Sequence, residues 1–404
     1  MREVMGLFRQ DDGGRRTRIV PLGYVVIVIV LIGIIELLAY LTSFYLAKNA
    51  RGLYLPCITQ SFQSYSTLIN PVLGWPTPNY ISTTPSYFDE TGSRLNPAFP
   101  DPRKNKTCIS LYGDSYTEGE GVSHREAWSG VLAELLGCRV ANYGMRGYGS
   151  DQAYLRYSYN HQDKAKIVIL SHMSQNIMRN INQLRNFIAP SPLCIMKPRF
   201  ILNKEGGLEL VPIAKLSDND YKNLEKHPER YLEHDFYIPD GLSGCKMASF
   251  PYSISIIKAA RIIIQRLLLE TCPWENLYKP GHPSQAFEVT VAIMKNFHKE
   301  ALNRGQYPII FILPNIHDMR MYQLNKYYFY QPLIDILREQ NIEVVNIGNK
   351  FFKYLQQNDQ SILFSEEIQY HYSVYGNRML ARIAADYLEE KNIWNRRQNI
   401  LIEP

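Results

Sequence analysis

Short apolar runs alternate with longer amphipathic segments over most of the chain, and this alternation is the feature that most constrains the fold. The runs "TCISLYG" (107–113), "AKIVILS" (165–171) and "YPIIFILPN" (307–315) are typical of strands buried on both faces. Between such runs lie segments with helical spacing, for example "REAWSGVLAELLG" (125–137). Strands separated in this way pair as a parallel sheet that helices cover on both sides. We therefore expect an α/β doubly wound domain over 107–392, with about five strands in a flavodoxin-like order.

Two segments do not follow this alternation. Residues 48–106 contain repeated prolines and glycines, which predicts an extended linking segment packed on the domain, without helices. Trp75 and Tyr80 are its expected packing contacts. Residues 189–284 are too long for an ordinary connection, so we expect an inserted cap beside the sheet. The apolar helix of this insertion, 253–270, is expected to pack in the core of the cap, with contact to a membrane as the alternative.

An apolar stretch near the N-terminus runs over residues 19–47, and Glu36 is its only charged residue. About 20 helical residues cross the hydrocarbon core of a bilayer, whereas the apolar region of a signal peptide has about 7–15 residues. We therefore predict a permanent transmembrane helix at 19–47 rather than a cleaved signal peptide or a buried core helix. Glu36 is expected to face an interface or a partner helix.

Basic residues flank this stretch unevenly. Only Lys48 and Arg51 follow it closely. The arginines that precede it are Arg2, Arg9, Arg15, Arg16 and Arg18. Because flanks rich in Lys and Arg stay in the cytoplasm, residues 1–18 are expected to form a cytoplasmic tail of a single-pass protein of the inner membrane. The domain, followed by a C-terminal tail at 393–404, is then expected in the periplasm or an equivalent space.

Charge and cysteine content exclude several classes of function. The formal net charge is +6 over 404 residues and no dense Lys/Arg face is evident, which argues against nucleic acid as a partner. No CxxC pair occurs, and His227, His234 and Asp235 match no zinc spacing, so we expect no metal or cofactor and assign these three residues to a solvated loop. A disulfide between Cys108 and Cys138 is possible, but buried thiols are expected because cross-strand geometry is often unsuitable.

The stretch "LYGDSYTEGEGV" (111–122) places Ser115 directly after the first strand of the predicted sheet. Ligands of open α/β sheets bind beyond the carboxyl ends of the strands, and Gly113 permits a tight turn there. A serine at this place can act as a nucleophile if a base and oxyanion donors are near. The alternative is that Ser115 only caps the following helix.

Three further blocks have corresponding places in the fold. "ANYGMRGYGSDQ" (141–152) follows the second strand, "ILSHMSQNIMRN" (169–180) follows the third, and "QYHYSVYGNRMLA" (369–381) begins the last helix. Together with "GDSY", these blocks resemble those of the SGNH, or GDSL-type, hydrolase superfamily in order and spacing over about 70–390. The upstream "VLGWPTPN" is similar to a lead-in of membrane-anchored bacterial members. The resemblance implies an SGNH-hydrolase-like sheet and an activity on ester bonds.

Carried over to this chain, the resemblance implies a role for each matching residue. Ser115 would be the nucleophile, and His371 would be the base that takes its proton. The oxyanion donors would be the backbone N–H groups of Ser115 and Gly147 and the side-chain amide of Asn176. Asp114 would form the turn rather than act as an acid.

The chain departs from the family pattern near the histidine. The family usually has an Asp two or three residues before it, where this chain has Ile368 and Gln369. Glu366 and Glu367 lie slightly upstream and are the candidates to orient His371, with a backbone carbonyl as the alternative.

The third block departs as well. The family has Gly-x-Asn-Asp after the strand, whereas "SHMSQNI" lacks the Gly and the second Asp. Asn176 is assigned as the oxyanion donor, with Asn180 as the alternative. His172, nearer the strand end, is expected to make a structural hydrogen bond.

These residues predict a membrane-anchored serine esterase or deacylase that hydrolyses an O-acyl ester outside the cytoplasmic membrane through an acyl-enzyme. The expected substrate is an acylated glycan or a lipid ester. Two alternatives stay open: an O-acyltransferase that modifies a cell-envelope glycan with the same residues, and a catalytically silent module that binds such glycans.

Overall fold

A computed structural model describes most of the chain. The described residues are 22–74, 87–269, 274–355, 359–367, 370–395 and 400–401. Trp75 and Tyr80, the expected packing contacts of the linking segment, lie outside these residues.

The described residues form helices and strands with the following bounds. The helices, in chain order, are α1 (Leu22–Lys48), α2 (Phe62–Leu68), α3 (Ser115–Glu118), α4 (Trp128–Leu136), α5 (Ser150–Tyr159), α6 (Asn176–Arg179), α7 (Asp218–Asn223), α8 (Tyr252–Ile264), α9 (Ala286–Asn303), α10 (Ile316–Asn325), α11 (Gln331–Glu339), α12 (Ile347–Leu355) and α13 (Val374–Glu390). The strands are β1 (Leu53–Tyr54), β2 (Thr107–Tyr112), β3 (Arg139–Asn142), β4 (Ile167–Met173), β5 (Arg199–Leu202), β6 (Leu208–Val211), β7 (Lys246–Met247), β8 (Tyr307–Leu313), β9 (Val344–Asn346), β10 (Phe364–Ser365), β11 (His371–Tyr372), β12 (Trp394–Asn395) and β13 (Ile400–Leu401).

A five-stranded sheet forms the centre of the domain. Its strand order is β3-β2-β4-β8-β9, and every neighbouring pair is parallel. This is the flavodoxin-like order, in which the direction of winding reverses between β2 and β4. The predicted α/β doubly wound fold with about five strands is confirmed.

The central strands bury both of their faces. In β4, Ile167 and Ile169 belong to one apolar layer, and Val168 and Leu170 belong to the other. Helices α4 and α13 cover the first layer, while α5 and α9 cover the second. Each fully buried aliphatic side chain contributes about 1.5–3 kcal/mol. Burial on both sides is the reason that these strands appear in the sequence as continuous apolar runs.

The linking segment contains a helix that the sequence analysis did not predict. Helix α2 begins after Ser61, whose hydroxyl accepts the N–H of Ser64 at 3.2 Å. The ring of Tyr65 is buried against Tyr221, with 5.0 Å between the ring centroids. The prediction of an extended segment without helices is therefore wrong here, because a serine cap and a buried aromatic contact stabilise one short helix.

Cys108 and Cys138 form a disulfide, so the expectation of buried thiols is wrong. Their Cα atoms are 6.2 Å apart. The pairing of β2 with β3 shifts register between Thr107 and Ile109, and Cys138 lies just before β3. The two cysteines therefore do not occupy opposite positions of a regular ladder, where the geometry is often unsuitable.

The loop that contains His227, His234 and Asp235 is only partly solvated. Both histidines are exposed, as expected, but Asp235 is buried. Its carboxylate accepts the backbone N–H groups of Gln183 at 2.6 Å and Leu184 at 2.8 Å. The assignment of Asp235 to a solvated loop is wrong, because this carboxylate satisfies main-chain donors of a neighbouring segment.

Helix α1 has 27 residues and, by length and composition, is apolar enough to cross a membrane. Most of its side chains are exposed; the buried ones are Ala39, Ser43, Leu46 and Ala47. Leu46 and Ala47 form an apolar cluster with Ala259 and Ile263 of α8. Helix α8 begins one residue before the segment 253–270, for which packing in the core of the cap was expected, and covers its first part. That expectation is wrong, because the buried side of α8 lies against α1.

Candidate active site

Ser115 is the first residue of α3, just beyond the carboxyl end of β2. The cap of this helix is Asp114, whose Oδ1 accepts the N–H of Tyr116 at 3.0 Å. The alternative that Ser115 only caps the helix is therefore wrong. The first N–H groups of a helix have no partner within it, and the N–H of Ser115 donates to no group among the described residues. Asp114 forms the turn, as expected, and leaves the Ser115 N–H available to a ligand.

The hydroxyl of Ser115 and the imidazole of His371, 256 positions apart in the chain, are hydrogen-bonded. The distance between Oγ and Nε2 is 2.8 Å. His371 lies in β11, just before the N-terminus of α13. Both side chains are largely shielded from solvent, with Ser115 only 4% exposed. The structure therefore brings together the two residues that the sequence analysis assigned as nucleophile and base.

Tyr116 supports the histidine from the side of α3. Its ring lies against the imidazole of His371, with 4.8 Å between centroids, and its hydroxyl donates to the carbonyl of Tyr370 at 3.0 Å. Tyr370 has a φ of +62°, a left-handed conformation that costs a non-glycine residue about 1–3 kcal/mol. The contact with Tyr116 stabilises this turn and so positions His371.

Glu120 is the acidic side chain at His371. Its Oε2 lies 3.5 Å from Nε2 of the imidazole. Glu366 and Glu367 are exposed, and the ion pair and hydrogen bond described for the His371 imidazole go to Glu120 and Ser115. They directly follow β10, which pairs with β11 in the antiparallel direction. The structure therefore does not support Glu366 or Glu367 as the acid that orients His371.

Asn176 begins α6, just beyond the carboxyl end of β4, and is fully buried. Arg179 donates to the amide oxygen of Asn176 at 3.0 Å and lies 3.6 Å from the carboxylate of Asp114. Because Arg179 occupies the amide oxygen, the amide nitrogen of Asn176 is left to donate elsewhere. This nitrogen makes no hydrogen bond of regular geometry with the described residues, although it lies close enough to the Asp114 carboxylate to lower the pKa of that group. A buried donor without an acceptor costs about 1–3 kcal/mol, which favours a role in binding a ligand.

Gly147 lies in the loop that follows β3. Its φ of +84° is readily adopted only by glycine. Its carbonyl accepts a hydrogen bond from Arg185 at 2.5 Å, while its N–H donates to no group within the described part of the chain. Glu118 of α3 stabilises the same loop, because its carboxylate accepts the N–H of Arg146 at 2.7 Å. The loop is thus held beside the nucleophile with one backbone donor unused.

Sequence reasoning missed Glu120, Arg179 and Arg185. Burial lowers the pKa of both arginines. For Arg185, burial and then the positive charge of Arg179 lower the pKa to about 9. Burial also raises the pKa of Asp114, against the opposing effect of Arg179. Both arginines stand in "NIMRNINQLRNFI", a largely apolar and amide-rich segment. A signal was present there, because charged side chains are rarely buried without a function or a partner.

The remaining candidates are committed to other contacts. The amide of Asn180 donates one N–H to Thr290 at 2.9 Å, and its oxygen accepts the N–H of Asp151 at 3.2 Å. His172 is hydrogen-bonded to Ser150 at 2.7 Å and to Tyr278 at 2.6 Å. Burial lowers the pKa of His172 to about 3. Its neutral ring makes the structural hydrogen bonds that the sequence analysis expected.

The arrangement contains the parts that acyl transfer needs. A hydroxyl is hydrogen-bonded to an imidazole. Three N–H donors without a regular acceptor in the described part of the chain follow three adjacent strands, β2, β3 and β4. Such donors stabilise the negative charge that develops on a carbonyl oxygen during nucleophilic attack. Over the described part of the chain, no group of three or more His, Cys, Asp or Glu side chains is placed to hold a metal ion.

Comparisons with known proteins find similarity at the level of structure. No family model matches the chain, and a search of the curated proteins finds none that is similar to it. A member of the lipolytic protein G-D-S-L family from Veillonella parvula DSM 2008 is 13% identical, with a TM-score of 0.33, over 70% of this chain and 98% of that one. A catalytic mutant of an acetylxylan esterase from Geobacillus stearothermophilus is 12% identical, with a TM-score of 0.35, over 71% of this chain and 94% of that one. Similarity at these values does not assign a function, so the function is argued from the site.

Proposed function

We propose that this chain is a membrane-anchored serine esterase or deacylase of the SGNH, or GDSL, type. It hydrolyses an O-acyl ester outside the cytoplasmic membrane through an acyl-enzyme. The observation that supports this most strongly is the 2.8 Å hydrogen bond between Ser115 and His371. It lies beside N–H donors that have no regular acceptor among the described residues. A serine activated by a base beside unused donors is suited to nucleophilic attack on a carbonyl.

In the proposed reaction, Nε2 of His371 accepts the proton of Ser115 as Oγ attacks the carbonyl carbon of the ester. The N–H groups of Ser115 and Gly147 and the amide of Asn176 donate to the resulting oxyanion. His371 then protonates the leaving alcohol, and the acyl group stays on Ser115. Water attacks the acyl-enzyme with His371 as the base and releases the carboxylic acid. The carboxylate of Glu120 lies 3.5 Å from Nε2, beside the positive charge that develops on the imidazole in each step.

Three features support a location outside the cytoplasmic membrane. Helix α1 is long and apolar enough to span a bilayer. Five arginines precede α1, whereas only Lys48 and Arg51 closely follow the apolar stretch. This excess of basic residues before the helix favours a cytoplasmic N-terminus. The disulfide between Cys108 and Cys138 is of a kind that persists in oxidising compartments and is rare in the cytoplasm.

The variant Ser115→Ala tests the nucleophile. We expect kcat for p-nitrophenyl acetate to fall by on the order of 10⁴–10⁶-fold with an unchanged circular dichroism spectrum. A fluorophosphonate should label the unmodified protein at Ser115 and leave the variant unlabelled. Ser66→Ala, at an exposed serine of α2, is the matched control and should keep full activity. Unchanged turnover in Ser115→Ala would contradict the proposal, and failure to label the unmodified protein would support the silent glycan-binding module.

The acyl acceptor separates hydrolysis from transfer. We expect an acylated glycan or a lipid ester to release free carboxylic acid, because water completes the proposed reaction. The measurement is product analysis with and without an added oligosaccharide. Preferential movement of the acyl group to the oligosaccharide would favour an O-acyltransferase that uses the same residues.

A further inference from the structure

Glu36, the only charged residue of the apolar stretch, is bound by the N-terminus of α8. Its Oε2 accepts the N–H of Tyr252 at 2.7 Å, and the hydroxyl of Ser253 donates to its Oε1. A carboxylate in a hydrocarbon environment is costly unless its hydrogen bonds are satisfied. The N-terminus of a helix is a favourable partner for such a charge. Glu36 therefore ties the start of α8 to the middle of α1.

Helix α8 runs parallel to α1 along the second half of that helix. Beyond its C-terminal end, the guanidinium of Arg266 donates to the carbonyl of Ala50 at 2.8 Å. This contact and the contact of Tyr252 with Glu36 both join residues 216 positions apart. The two helices therefore keep one register from Glu36 to Ala50.

The facing sides of the two helices carry small residues at every fourth position. These residues are Ala39, Ser43 and Ala47 in α1 and Ser255 and Ala259 in α8, and all are buried. Small residues at this spacing allow helices to approach closely where lipid, rather than water, surrounds them. Ala39 and Ser255, which precede Thr42 and Lys258 in their helices, make a close approach of the type that forms inside a bilayer.

The opposite side of α8 is exposed and is apolar before Lys258; farther along it carries both isoleucine and the basic residues Lys258 and Arg261. The exposed fractions are 46% for Ile254, 73% for Ile257 and 52% for Ile264, and Phe250 in the preceding loop is 73% exposed. This surface continues onto the exposed apolar side chains of α1. A contiguous apolar surface is unfavourable in water, and this one is an extension of the lipid-facing surface of a membrane-spanning helix.

Lys258 is the first charged residue of α8 and indicates where the bilayer surface lies. In the shared register it is level with Thr42 of α1. From Leu22 to Thr42, α1 rises about 30 Å, which is the thickness of the hydrocarbon core. The part of α8 before Lys258 then lies up to about 9 Å below this boundary, within the 5–10 Å depth at which interfacial helices bind.

We propose that the N-terminal half of α8, together with the loop at Phe250, inserts into the outer leaflet beside α1 and forms a second membrane contact of the domain. This rests on the proposed membrane anchor and is independent of the proposed esterase chemistry. The basic side of α8 borders a groove of about 700 Å³ that is also lined by Gln175 and Met178, which flank Asn176. The insertion therefore holds the active-site edge of the sheet close to the lipid surface.

The test is a depth measurement on the full chain in lipid bilayers, with a nitroxide attached to Ile257→Cys. We expect collisions of the nitroxide with oxygen, which concentrates in lipid, to exceed collisions with a water-soluble nickel complex. Leu302→Cys is the matched control, because Leu302 is 54% exposed at the end of α9, before the amino end of β8. There the ratio should be reversed. The unmodified protein supplies the background from the native cysteines.

A depth series makes the test specific. Immersion should be greatest at Ile254→Cys, smaller at Ile257→Cys, and absent at Ile264→Cys, because Ile264 is level with Lys48. The insertion would be overturned if nitroxides at all three positions collided with the nickel complex as often as the one at Leu302→Cys does. If that protein stays in the membrane and still turns over p-nitrophenyl acetate, the proposed esterase is unaffected. Release of the chain from membranes by alkaline carbonate would overturn the anchor and the insertion together.

Discussion

The side chain of Asn176 shows how one neighbour can determine the role of a residue. An amide carries both a donor and an acceptor, and either end can face a ligand. Here Arg179 occupies the oxygen, so only the nitrogen is free to donate. The same guanidinium binds the carbonyl of Tyr148 at 2.8 Å. Arg179 therefore positions Asn176 relative to the loop that carries Gly147.

Asn176→Ala should lower kcat by about 10²–10³-fold, or about 2.7–4 kcal/mol in the barrier, with little change in KM. The reason is that an oxyanion donor acts in the transition state more than on the bound ester. The measurement is the steady-state kinetics of p-nitrophenyl acetate hydrolysis. Gln175→Ala, at the preceding residue, is the control and should behave like the unmodified protein. A variant at Asn176 with full kcat would remove this residue from the proposed oxyanion site.

Tyr116→Phe should lower kcat by about 2- to 10-fold. The variant keeps the ring against His371 but removes the hydrogen bond to the carbonyl of Tyr370. A hydrogen bond of this kind contributes about 0.5–1.5 kcal/mol, and its loss relaxes the left-handed turn that presents the imidazole. The check compares kcat with that of Tyr159→Phe, an exposed tyrosine of α5. Equal values for the two variants would show that the turn holds without Tyr116.

At the element scale, the site is built where several short elements end. Ser115, Gly147 and Asn176 follow β2, β3 and β4, and parallel strands bring their carboxyl ends to one edge of the sheet. These three positions could therefore be predicted from the apolar runs and the motif blocks. Glu120 could not, because its place depends on α3 ending after one turn at Gly119, which has a left-handed conformation. That reversal carries Glu120 back to His371.

The disulfide joins two elements, and Cys138→Ser should lower the free energy of unfolding by about 3–4 kcal/mol. The cross-link closes a loop of 30 positions, and chain entropy in the unfolded state gives a contribution of this size. The measurement is denaturant unfolding of the purified protein with and without a reductant. The reductant should destabilise the unmodified protein to the same extent and leave Cys138→Ser unchanged. A reductant effect of equal size on both would indicate that another group is responsible.

At the scale of the whole molecule, the prediction concerns orientation in the membrane. In spheroplasts, which retain an intact cytoplasmic membrane, added protease should degrade the domain over 107–392 and leave a tag on residues 1–18 intact. The reason is the excess of arginine before α1, which favours a cytoplasmic N-terminus. Immunoblots for the tag and for the domain measure both ends of the same chain. Loss of the tag with protection of the domain would contradict the proposed orientation.

The packing of α8 against α1 also belongs to this scale. The apolar character of 253–270 is evident in the sequence, and it led us to expect packing in the core of a cap, with contact to a membrane as the alternative. Which surface α8 packs against depends on Glu36, whose carboxylate accepts a hydrogen bond from Ser253, 217 positions later in the chain. A local sequence pattern indicates how apolar a helix is, but it does not indicate which surface packs against that helix.

The sequence by itself determined the features that depend on local pattern. Continuous apolar runs specify strands buried on both faces, so the parallel sheet and the strand-end positions of Ser115 and Asn176 could be inferred without coordinates. The length of the apolar stretch likewise predicted the helix that the structure describes as Leu22–Lys48. His371 was assigned only through the resemblance of motif blocks, because no local rule connects it to Ser115.

Only the tertiary structure decided which groups meet. Arg179 reaches the carbonyl of Tyr148 and the carboxylate of Asp114, and Arg185 reaches the carbonyl of Gly147. Cys108 bonds to Cys138 where β2 and β3 shift register. Hydrogen bonds, ion pairs and disulfides require distances of a few ångströms between side chains that can be hundreds of positions apart, and the folded chain sets those distances.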